Sequence, residues 1–193
     1  MFFSLFSRRK QTSDNAASEP AEALYQMALS TSRTPSFYLE YGAEDTIDGR
    51  FDVLCLCVSL VMYRLRKIVR QQGEASQNAQ DISQKLYDIM FADMDLTLRE
   101  MGVGDLGVAK RVKIMSEAFA GRLTAYSAAF DDLDASMLAA AFARNIGRRE
   151  QAGEAELKLA SLILGTITKL ESFDDGVFLS GTLDLRDISI SSK

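Results

Sequence analysis

The amino-acid sequence predicts an all-α fold: an irregular multi-helix bundle forming a single domain, with a disordered N-terminus and an extended C-terminal tail. Apolar residues recur at steps of three and four over long stretches, the signature of helices that bury one face. Only 2 of 193 residues are proline, while 8 methionines and abundant alanine and leucine favour helix. A hydrophobic content of 47% in a chain of this length supplies one sizeable core. The expected organisation is a flexible segment over residues 1–20, a helical domain over 21–171 and a tail over 172–193.

The first ten residues, MFFSLFSRRK, turn from apolar to basic. This run is too short to span a bilayer and lacks the small-residue cleavage site of a secretory signal. It reads either as a frayed terminus or as a membrane-contact patch, in which Phe2, Phe3 and Phe6 enter an anionic lipid surface beside Arg8 and Arg9. Residues 11–20, rich in Ser, Asn, Ala and Asp, read as a linker. A short helix follows on Leu24, Met27, Ala28 and Thr31, with Glu19 and Glu22 near its positive end, until Arg33-Thr34-Pro35 breaks it.

Phe37, Tyr38 and Tyr41 then fall in an irregular segment and are expected to pack onto a neighbouring helix, because a loop rarely forms a core of its own. Beyond the acidic loop 44–49, residues 51–72 form the most hydrophobic helix. Phe51, Leu54, Val58, Leu65 and Ile68 keep the helical period, and Cys55, Leu56, Leu60 and Val69 widen the apolar face. Such a helix belongs at the centre of the bundle. The polar run 71–80 reads as a loop.

Ile82, Leu86, Ile89 and Met90 give the next helix its apolar stripe. It stops at Gly102-Val103-Gly104-Asp105, where either glycine can adopt the left-handed conformation and Asp105 can cap the helix that follows. That helix carries Val108, Val112, Met115, Phe119, Leu123, Tyr126 and Phe130, so the two form a hairpin. Lys110, Arg111 and Lys113 lie near its start, where cations oppose the helix dipole unless a partner uses them. Asp134 is a cap for a helix on Met137, Leu138, Ala141, Phe142 and Ile146, and residues 154–171 form another. Residues 173–193 alternate apolar and polar side chains and could be extended; an isolated strand is not stable alone, so this stretch either lies on the bundle or is disordered.

Composition removes several function classes. A net charge of −5 and a pI near 4.9 disfavour nucleic-acid binding, which needs a clustered basic surface. The chain has no histidine, and so lacks the commonest general base and metal ligand. Cys55 and Cys57, two apart on a helix, diverge; they form neither an easy disulfide nor a metal clip, and a reduced cytoplasmic setting follows. Asp93 and Asp95 diverge in the same way, and the GVGDLG corner follows a helix rather than a strand and lacks the lysine of a phosphate loop. No catalytic residue, metal ligand or cofactor is assigned.

Two stretches, MFADMDLTLREMGVGDLGVAKRVKIMSEAFAGR and FYLEYGAEDTIDGRFDVL, resemble the ubiquinol-cytochrome c chaperone family. The resemblance covers about Leu24 to Asn145 and rests most heavily on DMDLTLREMGVGDL. It departs from the family at Ala120, where members carry a tyrosine, and near Cys57, where they carry a histidine. The resemblance implies a non-enzymatic assembly chaperone that binds an immature cytochrome b subunit of ubiquinol-cytochrome c reductase, in the cytoplasm or peripherally at the inner face of the membrane. As partner-binding residues it nominates Asp93, Asp95, Arg99, Glu100, Asp105, Lys110, Arg122 and Asn145, a charged ring around apolar contacts. A buried Arg122 paired with Asp93 or Glu100 would instead hold the hairpin together. The alternative is a small-molecule enzyme or ligand-binding protein with a cleft between helices and Tyr126 or a carboxylate as its acid. A deep closed pocket with perturbed carboxylates would mark that alternative, and a shallow apolar groove the chaperone.

Overall fold

The structure, a computed structural model, describes the backbone of residues 3–183 and the side chains of residues 17–183 apart from Glu74. Among the described residues there are eight helices and no strand: α1 (Phe3–Ser32), α2 (Ser36–Leu39), α3 (Ile47–Arg70), α4 (Glu74–Glu100), α5 (Asp105–Asp132), α6 (Ala135–Asn145), α7 (Glu154–Ser172) and α8 (Asp175–Leu179). The all-α single-domain expectation holds. No helix among the described residues is long and apolar enough to cross a membrane.

The apolar helix α3 occupies the centre, with α1, α4, α5 and α7 packed around it. Thr46, in extended conformation, starts it by accepting a hydrogen bond from the Gly49 amide at 3.1 Å. Every residue from Asp52 to Val61 is buried, so the widened apolar face is enclosed on all sides. Cys55 and Cys57 are free and buried there, and burial pushes the Cys57 thiol up to about 12. Phe37 and Tyr41 are buried as expected and meet edge to face at 6.2 Å.

At both ends the chain departs from its local signals. The linker expected over 11–20 is helical, because α1 runs unbroken through Pro20 and buries Ala17 and Ala21 completely. Glu19 and Glu22 are therefore mid-helix, not at a positive end. The turn at Gly181 (φ +69°) presses on this point: a Cβ there would stand 2.9 Å from Ala23 Cβ and 3.0 Å from Pro20 Cα. Packing from the far end of the chain accompanies a helix that proline alone would break. The tail expected to be extended holds α8, capped by Asp174 and anchored by the fully buried Phe178. Residues 184–193 lie outside the described residues, as do Phe2 and the side chains of Phe3, Phe6, Arg8 and Arg9.

The hairpin forms at the anticipated corner. Gly102 takes φ +81° and ends α4, but the cap on α5 is Gly104 and has no side-chain hydrogen bond. Asp105 is the first helical residue, and its carboxylate pairs with Arg99 instead of capping amides. The loop expected over 71–80 shrinks to a sharp turn, since α4 starts at Glu74 and already buries Ala79. Asp134 caps α6 as expected, accepting from the amides of Ser136 at 2.8 Å and Met137 at 2.9 Å.

Candidate partner-binding site

A half-open cleft of about 230 Å³ lies where α1, α3, α4 and α5 converge. Helical spacing builds it: Ile47, Phe51 and Leu54 project from the first turns of α3, and Met94, Thr97, Leu98 and Met101 from the last turns of α4. Leu29 of α1 and Met115 of α5 complete the apolar lining. Ile47 and Met101 remain 57% and 47% exposed, so apolar surface continues out of the cleft into solvent.

Charge enters this cleft through Arg33, Arg50 and Asp93. Asp93 accepts a hydrogen bond from the buried Tyr25 hydroxyl at 2.5 Å, which ties α1 to α4; burial and the Asp93 carboxylate both push the Tyr25 hydroxyl up. Arg50 donates to Asp45 at 2.7 Å and lies 5.5 Å over the Tyr38 ring, whose hydroxyl donates to the Ser32 carbonyl at 2.7 Å. Arg33 makes no ion pair among the described residues.

A second polar group lies deeper. Asp52 of α3 is 2% exposed, with Arg122 Nη2 at 2.5 Å from Oδ1 and Arg148 Nη2 at 3.3 Å from Oδ2. Burial raises the Asp52 carboxyl above the usual carboxylate range, and the two guanidiniums oppose that rise. Arg122 is thus held by Asp52, and neither by Asp93 nor by Glu100; its guanidinium also lies 5.9 Å over Phe51, a residue of the cleft wall. Nearby, burial pushes the Tyr126 hydroxyl up, and Asn145 approaches it without completing a hydrogen bond.

The family model described as ubiquinol-cytochrome C chaperone matches residues 39–185, most of the chain. The chain belongs to the ubiquinol-cytochrome c chaperone family. The crystal structure of the Cbp3 homolog from Brucella abortus is similar to it at 32% identity and a TM-score of 0.74, covering 95% of this chain and 96% of that one. No curated protein matches the chain. Within this member of the chaperone family, the α3, α4 and α5 walls of the cleft lie inside the matched region, whereas Leu29 of α1 and Arg33, just beyond α1, precede it.

The eight residues nominated from sequence do not form one ring in this chaperone-family structure. Asp93 alone lines the cleft. Asp95 and Asp105 both pair with Arg99 at the exposed hairpin corner, and Glu100 and Lys110 are exposed on the same hairpin. Arg122 and Asn145 belong to the deep polar group, with Arg122 a helix-to-helix tie. Sequence reasoning missed Arg33, Arg50, Asp52 and Arg148. It also missed the Met94-Leu98-Met101 stripe, whose spacing of four and three was open to reading; nothing in the sequence signals that Asp52 meets residues 70 and 96 positions away.

Proposed function

We propose that this chain is an assembly chaperone of ubiquinol-cytochrome c reductase that binds an immature cytochrome b subunit and catalyses no reaction. The methionine-lined cleft, whose α3, α4 and α5 walls lie in the region that carries the family match, is the observation that supports this reading. Methionine side chains are flexible and polarisable, and suit a surface that must accept irregular apolar shapes. At about 230 Å³ the cleft is smaller than the roughly 300–1,000 Å³ of small-molecule sites, yet it has room for one large side chain of a partner. Asp52, the buried carboxyl that an enzyme would employ as an acid, is enclosed by two guanidiniums and is not among the residues lining the cleft.

Glu100 and Lys110 on the exposed hairpin serve as outer charged contacts in this reading, with the client held at the inner face of the membrane. Phe2, Phe3, Phe6, Arg8 and Arg9 supply the peripheral lipid contact, and loss of vesicle binding on removal of residues 1–10 is the result expected of them.

The test is capture of pulse-labelled cytochrome b from detergent-solubilised membranes by the intact chain and by Thr97→Phe, which plugs the cleft. Enrichment by the intact chain and loss with the folded variant is the expected result. Absence of every subunit of the complex from the captured fraction would overturn the reading.

A further inference from the structure

We infer that the cleft selects polypeptide segments in which a large apolar side chain lies within one helical turn of a carboxylate, the apolar group filling the methionine-lined pocket and the carboxylate docking on Arg33 and Arg50. The inference rests on the reading that the cleft takes a protein client, and it assigns the chemistry that the client must present.

The charges at the cleft are unbalanced. Its lining holds two arginines against one carboxylate, Asp93, which accepts a hydrogen bond from the neutral Tyr25 hydroxyl. Arg33 has no ionic partner among the described residues. Arg50 pairs with Asp45, but both side chains are more than half exposed, at 54% and 59%, and such pairs contribute little and exchange readily. A client carboxylate can therefore replace Asp45 at Arg50 and gain Arg33 as well. Arg33, Tyr38 and Arg50 all line the cleft. The Arg50 guanidinium lies 5.5 Å over the Tyr38 ring, and its fork of donors suits a carboxylate in bidentate fashion. This cationic rim stands on a chain of net charge −5, so its preference for anions is local rather than a property of the whole surface.

The experiment uses the purified full chain and two labelled helical peptides, each with a Leu-Phe-Leu face, that differ only in a Glu pair or a Lys pair one turn away. By fluorescence anisotropy at low salt, the Glu peptide is expected to bind about fivefold more tightly than the Lys peptide. That preference collapses near about 0.5 M salt and inverts in Arg33→Glu/Arg50→Glu, whose two positions are exposed and leave the fold intact by circular dichroism. Thr97→Phe abolishes binding of both peptides. Equal affinities in the intact chain, with Thr97→Phe still abolishing them, would overturn the charge selection and leave the client cleft standing. Peptide binding that ignores Thr97→Phe would remove the cleft reading itself. Should phosphatidylglycerol vesicles bind through Arg33 and Arg50 while neither peptide does, the rim is a lipid-headgroup site and the inference fails.

Discussion

Asp52 on α3 and Arg122 on α5 meet at 2.5 Å across 70 residues of sequence, and Arg148, in the connection between α6 and α7, closes on the other carboxylate oxygen. Three parts of the chain are thereby fastened to one buried carboxylate immediately after Phe51 of the cleft wall. Removing Asp52 leaves the largely buried Arg122 guanidinium without compensation, which is more damaging than replacing the pair with apolar groups. Asp52→Ala is expected to lose about 3–5 kcal/mol in urea denaturation, and Asp52→Leu with Arg122→Met distinctly less. Equal losses would show that the charges themselves, and not their mutual pairing, are needed.

The same carboxylate gives stability a pH dependence of known sign. Burial lifts the Asp52 pKa in the folded state above its unfolded value, so its contribution is complete below the unfolded pKa and is lost as pH rises through the folded one. Arg122 and Arg148 limit that loss. Arg122→Gln must raise the Asp52 pKa further, and its destabilisation relative to the native chain must grow between pH about 4 and pH about 7. Melting curves across this range check it; a deficit that shrinks toward neutral pH contradicts the assignment.

Gly49 is fixed by space. Its φ is unremarkable for a helix, but a Cβ would stand 2.0 Å from the Glu44 carbonyl oxygen, in the turn that brings the acidic loop back over the start of α3. Gly49→Ala is expected to lose about 1–3 kcal/mol through backbone displacement and, by moving Ile47, to weaken client capture. Gly121 and Gly165 are the controls, since a Cβ on either meets nothing within 4 Å. Each should gain about 0.5–1 kcal/mol on replacement by alanine in mid-helix.

Helix identity was legible wherever local signals acted alone. The period of α3, the Gly102 corner and the Asp134 cap each follow from a few neighbouring residues. Misreadings occurred where distant chain segments decide. The stretch ending at Pro20 reads as a linker until Gly181 is found against it, and Phe178 reads as part of a tail until Arg64 is found holding its turn. The site was less legible than the fold for the same reason. Arg122 announces a buried cation, yet periodicity carries no information on whether Asp52, Asp93 or Glu100 answers it.

Arg99 provides a contrast with Arg122. It pairs with Asp95 at 2.5 Å and with Asp105 at the hairpin corner, but these side chains are exposed and water screens the pairing. Arg99→Ala is expected to shift the melting temperature far less than Asp52→Ala, and the shift should fade near about 1 M salt. A large shift that survives salt would mean that the corner is held by geometry and not by charge.

Arg64 is the strongest case of a side chain that organises distant backbone. It is 4% exposed on α3, donates through Nε to the Leu170 carbonyl at 3.0 Å and through Nη2 to the Phe173 carbonyl at 2.9 Å, and reaches Asp175 at 2.5 Å. Its guanidinium also lies 5.6 Å over the Phe178 ring. The end of α7 and the start of α8 are thus bound to the central helix by one planar fork. Arg64→Met leaves these carbonyls without donors, so a loss of about 2–4 kcal/mol is expected, with faster amide exchange confined first to residues 175–183. Arg64→Lys keeps the charge but has a single nitrogen in place of the fork, and should recover only a small part of the loss. Full recovery by lysine would show that charge alone docks α8. Because Arg64 does not line the methionine cleft, both variants should still discriminate the Glu and Lys peptides, which separates the stability of the tail from recognition of the client.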